Sequence, residues 1–218
     1  MAAGGRSVGT VPPKSSAELV SAREAEIVDA CERLYRTMSF GEITIKEIGG
    51  ETSFTRTSVY NYFQTKEEIF LALLQREYAA WNRELREAAE GAESLSREAL
   101  AGLLADTLSR RGVLLKILSM NLYEIEGQSR PEKLAAFKRE FCRTTELVDR
   151  ALHLVRPALT EERCAQFPYS FFPFVYGVYP YTSVTPKQDE AMRAAGISYR
   201  RYTVYELVKM TASRLLEA

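Results

Sequence analysis

Three of the threonines in the segment 44–65, Thr44, Thr55 and Thr65, constrain this chain more than anything else in it, since each is placed to start a helix and the intervals between them admit only tight turns. Thr44 followed by Glu47, and Thr65 followed by Glu68, fit the capping box, in which a hydroxyl and a carboxylate each satisfy a backbone N–H that the helix leaves unpaired. Helices are therefore expected to begin at Ile45 and Lys66. Between them Thr55 can cap a third, with Arg56, Thr57 and Ser58 in its first turn and Val59 and Phe63 on its buried edge. Two helices joined across residues 50–54 make a helix-turn-helix, whose second helix offers its N-terminal residues to base edges in a DNA major groove.

Upstream, Ser21 and Glu24 repeat the capping box, and the helix they open sets Ile27, Cys31, Leu34, Tyr35 and Met38 along one face, enough to complete a three-helix core. Downstream, the seam Ile69, Phe70, Leu73, Leu74, Tyr78, Trp81 and Leu85 carries a long helix out of that small domain.

Charge bears on whether such a shape meets DNA. The chain holds 29 basic and 29 acidic residues, a net charge of zero, which by itself disfavours a polyanionic partner. Placement answers this: between Thr52 and Lys66 the only charged residues are Arg56 and Lys66, while Glu24, Asp29, Glu32 and Glu47 lie elsewhere. Arg56 can hydrogen-bond a guanine edge through two donors, and Asn61 can do the same for adenine. Thr57 and Ser58, next to the capping Thr55, suit bases or thymine methyls.

Taken together, the apolar stripe at residues 27–35, Thr44 with Lys46-Glu47-Ile48, Val59-Tyr60-Asn61-Tyr62-Phe63, and Lys66-Glu67-Glu68 make the segment 27–73 resemble the DNA-binding domain of the TetR family of bacterial transcriptional regulators. The resemblance implies phosphate contacts for Thr44, Lys46, Tyr60, Tyr62 and Lys66. It implies a homodimer on a palindromic operator of double-stranded DNA, with reading helices about 34 to 36 Å apart, and repression relieved by a small-molecule effector. Two residues depart from the family pattern. Ser53 stands where a turn glycine is usual, which asks it to adopt a left-handed backbone, and Thr57 stands where glycine or alanine is common. These departures leave open a second reading, a helical ligand-binding or protein-interaction module that has lost sequence-specific DNA binding.

The remainder shows no strand-like alternation, so the expected fold is all-α. Leu100, Leu103, Leu104 and Leu108 mark one helix, and residues 113–125 are apolar enough for a buried second. Ser129-Arg130-Pro131-Glu132 opens a long helix that stops at Pro157. Thr185, Pro186, Gln188 and Gly196 punctuate a short one, and Val204, Tyr205, Val208, Ala212, Leu215 and Leu216 stripe the last. With 218 residues, 46% of them hydrophobic, the expected division is a flexible tail at 1–20, the helix-turn-helix domain at 21–67, and a larger helical effector-binding and dimerisation domain at 68–218.

Residues 167–183 are dense in aromatics and interrupted by Pro168, Pro173 and Pro180. At about 100° per residue, Phe167, Phe171, Phe174, Val178 and Tyr181 fall on one side and Tyr169, Phe172, Tyr176 and Tyr179 nearly opposite. A helix apolar on both faces needs covering on both. By resemblance, one covering is an effector pocket and the other a second subunit. The tyrosine-bearing side, with Asn121 and Glu124 as polar partners, is the expected pocket, suited to an apolar or aromatic effector.

Other functions find little support. The only histidine is His153, in the middle of a helix, and Cys31, Cys142 and Cys164 form no C-x-x-C pair, which suits a reducing cytoplasm. No nucleophilic, metal or cofactor pattern is present, so no enzyme is expected. Nothing approaches the run of about 18 apolar residues that a membrane helix needs, and the N-terminus lacks the apolar region of a signal peptide.

Overall fold

A computed structural model describes residues 16–90, 93–155 and 158–217, and every regular element among them is helical. The reading domain comprises α1 (Ser16–Thr37), α2 (Ile45–Gly50), α3 (Arg56–Val59) and the start of α4 (Lys66–Ala89). Ile27, Cys31, Tyr35, Ile43, Ile48, Val59, Phe63 and Phe70 close its core, with Tyr35 edge-on to Phe70 at 5.0 Å between ring centroids. Because α1 already begins at Ser16, Ser21 and Glu24 lie inside it and do not form the expected cap; residues 16–20 of the expected tail are helical. The rest of that tail, residues 1–15, lies outside the described residues.

The larger part adds α5 (Arg97–Ser109), α6 (Gly112–Leu118), α7 (Leu122–Gly127), α8 (Pro131–His153), α9 (Glu161–Gly177), α10 (Tyr179–Thr182), α11 (Pro186–Ala194) and α12 (Val204–Glu217). The single helix expected over residues 113–125 is instead two. The Ser119 hydroxyl donates to the Lys116 carbonyl at 2.8 Å, and Asn121 turns extended to start α7, a local side-chain bond competing with helix continuation. Pro131 opens α8 as expected. Thr185 and Gln188 complete a reciprocal box on α11, and Gly196, at φ 66°, takes the left-handed position that ends it.

Helix α4 runs the length of the joint, lying along α8, while α12 lies along α5 and α9 is wedged between α12, α8 and α6. Tyr78 and Trp81 of α4 meet Phe137 and Phe141 of α8 and Phe172 of α9 in one ring cluster, with centroids 5.6 to 6.5 Å apart. The buried polar groups there are mostly partnered: the Trp81 indole donates to Thr107 at 3.0 Å, and Thr144 donates to Asn82 at 2.6 Å. Among the described residues no helix is long and apolar enough to cross a membrane.

Candidate nucleic-acid interface and effector clefts

The reading end is assembled by close backbone approach and by side chains from α1. Thr44 caps α2 in an extended conformation; its hydroxyl accepts from the Lys46 N–H at 3.2 Å and donates to Glu47. Helix α3 crosses α2 so tightly that a Cβ on Gly49 would sit 3.0 Å from the Arg56 Cα, which makes glycine the residue that fits there. The sequence pattern gave no sign of this contact. Ser53 does not adopt the left-handed backbone expected of it, since no described non-glycine residue has positive φ. Its N–H donates to Glu26 and its hydroxyl accepts from Arg23 at 2.9 Å, so two side chains of α1 hold the turn that a glycine would otherwise have eased. That backbone hydrogen bond from Ser53 holds the Glu26 carboxyl below its usual range.

Helix α3 spans only four residues, and the Thr55 hydroxyl pairs with the Ser58 hydroxyl at 3.0 Å instead of a backbone N–H. The winding continues through bonds from Asn61 to Ser58 and from Tyr62 to Val59, at 3.2 and 3.0 Å. Thr44, Lys46, Thr55, Arg56, Thr57, Tyr60 and Asn61 are exposed, and Ser58 is half-buried. Two expected phosphate contacts point inward. Tyr62 is half-buried with its ring tilted against Phe54. The Lys66 ammonium donates to the carbonyls of Phe40 and Ile43 at 2.9 and 3.2 Å and lies 4.0 Å from the Phe40 ring, closing the loop that leads into α2.

Three more cations reach the reading domain from the C-terminal part. Lys116 of α6 donates to the carbonyls of Tyr35 and Met38 at 2.5 and 3.0 Å, capping carbonyls at the end of α1; its burial holds the ammonium below its ordinary pKa. Lys133 of α8 meets Glu24 of α1 at 2.6 Å. Arg130, which caps α8, meets Glu68 in the first turn of α4. Glu68 is fully buried, and its carboxylate accepts from the Gln64 N–H at 2.9 Å, the Arg130 N–H at 3.0 Å, and the Arg130 guanidinium at 2.7 and 3.0 Å. Desolvation pushes its pKa up, but the hydrogen bonds from Arg130 and Gln64 outweigh this and leave it lowered. The capping box expected at Thr65 is thus half formed. The Thr65 hydroxyl takes the Glu68 N–H at 3.2 Å, while the carboxylate is turned to Gln64 and Arg130.

The expected pocket residues do not share one wall. Asn121 and Tyr176 line a cleft of about 490 Å³ beside α7, with Met120, Leu122, Tyr123, Glu126 and Lys138. Further in, the Tyr78 hydroxyl is buried with no hydrogen-bond partner among the described residues; burial first, and then the nearby Tyr176 phenol, push its pKa well up. Tyr169 and Phe172 lie instead on a groove of about 560 Å³ between α8 and α9, with Tyr169 85% exposed and Phe172 only 6%. Tyr179 belongs to a third, polar cleft of about 480 Å³ with Glu32, Arg36, Glu77 and Arg111. Glu124 is exposed and lines none of the three. Neighbours cover α9 on several sides: Phe167, Phe171 and Val178 of one expected side and Phe172 of the other are buried, as are Cys164 and Val175, while Tyr181 and Tyr169, one from each side, are exposed.

Comparison with known proteins gives two family matches. Residues 27–73 match the family described as bacterial regulatory proteins, tetR family, and residues 75–216 match the tetracyclin repressor-like C-terminal domain. The chain is 32% identical over 78 residues to the uncharacterized HTH-type transcriptional regulator YfiR of Bacillus subtilis; that match covers 36% of this chain and 38% of the relative's length. Among solved structures, the fatty acid degradation regulator FadR from Bacillus halodurans superposes with a TM-score of 0.58 at 16% identity, over 94% of this chain and 97% of that one. A protein of Mesorhizobium loti assigned to the TetR family of transcriptional regulators gives 0.52 at 17%, over 91% and 95%. At such identities the likeness is one of fold. The two family matches together span both parts of the molecule, and the chain belongs to the TetR family.

Proposed function

We propose that this chain is a DNA-binding transcriptional regulator of the cytoplasm, acting as a homodimer on a pseudo-palindromic operator and released from it by a small-molecule effector. The observation that carries the reading is the run of exposed side chains Thr55, Arg56, Thr57, Tyr60 and Asn61, in a stretch without a single acid, beside the exposed Thr44 and Lys46 of the preceding helix. Arg56 and Asn61 are the base-reading residues, and Thr44, Lys46 and Tyr60 meet phosphates. Fluorescence anisotropy on duplexes covering the DNA beside its own gene tests this. Log affinity is expected to fall linearly with log salt, and Arg56→Ala to weaken the selective complex by about 1 to 3 kcal/mol. Absence of any sequence-selective complex at moderate salt supports the helical binding module instead.

The effector is assigned to the cleft beside Asn121 and Tyr176, where apolar walls and phenol hydroxyls are close together. A thermal-shift screen of apolar and aromatic metabolites should find a stabilising ligand whose effect Tyr176→Ala abolishes. Dimerisation is assigned to α9 and α12, which leave Tyr169 and Met210 85% and 50% exposed. Sedimentation at micromolar concentration tests it.

A further inference from the structure

We propose that Arg130 is a positioning residue for DNA discrimination, fixing the direction in which α3 leaves the C-terminal part of the molecule; this rests on the DNA-binding reading above. The attachments differ in what they hold. Lys116 and Lys133 both end on α1. Lys133 also lies over the Phe63 ring, but Arg130 alone among the three hydrogen-bonds the chain between α3 and α4, donating from its guanidinium to the Tyr62 carbonyl at 3.0 Å as well as to Glu68. Two residues earlier the Gln128 carbonyl accepts from the Thr65 hydroxyl at 3.1 Å, so both ends of residues 62–65 are tied to the α7–α8 junction.

The geometry is overdetermined on both sides. Pro131 fixes the start of α8 and keeps the residue before it extended, as Arg130 is at φ −63° and ψ 146°. That leaves both the Arg130 N–H and its side chain aimed at one carboxylate. Glu68, in turn, sits in the first turn of α4, where the helix dipole favours an anion, and its acceptor sites are filled by Arg130 and Gln64. A helix of four residues has little rigidity of its own, so its exit is set by what holds Tyr62 and Gln64. The α7–α8 junction holds Tyr62 directly and Gln64 through Glu68, and α7 is also a wall of the cleft beside Tyr176. Displacement of α7 therefore has a direct mechanical route to the reading helix.

The test uses full-length protein, the duplex that wild type selects from a random pool, and a non-selected duplex of equal length at the same salt. Arg130→Met is expected to weaken the selected duplex by about tenfold, within the usual range for coupling between sites, and to leave the non-selected duplex within about twofold. Hydrogen exchange at the Gln64 amide should accelerate. Arg130→Lys, which keeps the charge but cannot reach Glu68 and Tyr62 together, should fall between wild type and Arg130→Met, and it serves in place of Arg130→Met if that variant does not fold. An unchanged ratio of selected to non-selected affinity in a folded variant overturns the proposal. If wild type selects no duplex, the DNA-binding reading fails, and unchanged Gln64 exchange in the variant then overturns the positioning role separately.

Discussion

Where the C-terminal part meets the reading domain, three cations make most of the polar contacts: Lys116 on carbonyls at the end of α1, Arg130 on Glu68 and Tyr62, Lys133 on Glu24. Where α8 meets α4 and α9, the core of the contact is a cluster of rings, Tyr78, Trp81, Phe137, Phe141 and Phe172, with the Asn82–Thr144 hydrogen bond beside it. The two kinds of contact respond differently to a shift. A hydrogen bond weakens steeply with angle and distance, whereas a packed ring cluster resists change of volume and carries its members along together. α4 and α8 should therefore move as one body, and the joint is where that motion is felt. Changes among the rings should lower stability, and changes at the joint should alter which DNA is bound.

The sharpest separation comes from Trp81→Ala. Trp81 is fully buried between Tyr78 and Phe172, and its loss also leaves the Thr107 hydroxyl without the indole donor. Truncating a large aromatic in such a site costs about 3 to 5 kcal/mol, which in a chain of this size lowers the unfolding midpoint by roughly 6 to 20 °C. Calorimetry checks this. A fall of only about 2 °C would mean that the ring cluster is not the body holding α4 to α8.

A smaller, pH-dependent effect sharpens the other side of the comparison. The folded pKa of Glu68 lies below its ordinary value of 4.5. Its contribution is thus complete above about 4.5 and is lost as pH falls through the lowered value. Denaturant titrations from pH 7 down to 3 should show wild type losing its advantage over Glu68→Gln only in that acid limb. A gap between the two that stays constant across the range would remove the carboxylate charge from the account of the joint.

Much of the reading domain was legible before any coordinates, because helix starts depend on residues three apart. Thr44, Thr65 and Thr185 each cap the helix their local pattern predicts, with the full reciprocal box formed at Thr185. The joint was not legible, since Glu68 and Arg130 are 62 positions apart and nothing local marks them as partners. Local pattern makes Glu68 the far half of a capping box and the family resemblance makes Lys66 a phosphate contact, but tertiary neighbours claim both side chains. The same limit explains residues 167–183. Periodicity says which side chains share a face but not how many neighbours a helix has, so Phe172 is buried while Tyr169 is exposed on the same expected stripe.

The smallest effect decides whether the joint works by geometry or by charge alone. Lys133 and Glu24 form a single contact at 2.6 Å with both side chains partly exposed, and the ammonium lies 4.8 Å from the Phe63 ring. Pairs of this kind contribute about 0 to 1 kcal/mol. Lys133→Met keeps the apolar stem that covers Phe63 and removes only the charge. It should shift the unfolding midpoint by no more than about 2 to 4 °C, less in high salt, and leave the ratio of selected to non-selected DNA affinity unchanged. Arg130 differs from Lys133 in the number and direction of its hydrogen bonds, while each carries one positive charge. If Lys133→Met erodes DNA discrimination as far as Arg130→Met does, the joint senses net charge across α1 and α8, and the separate grip on residues 62–65 has no special role.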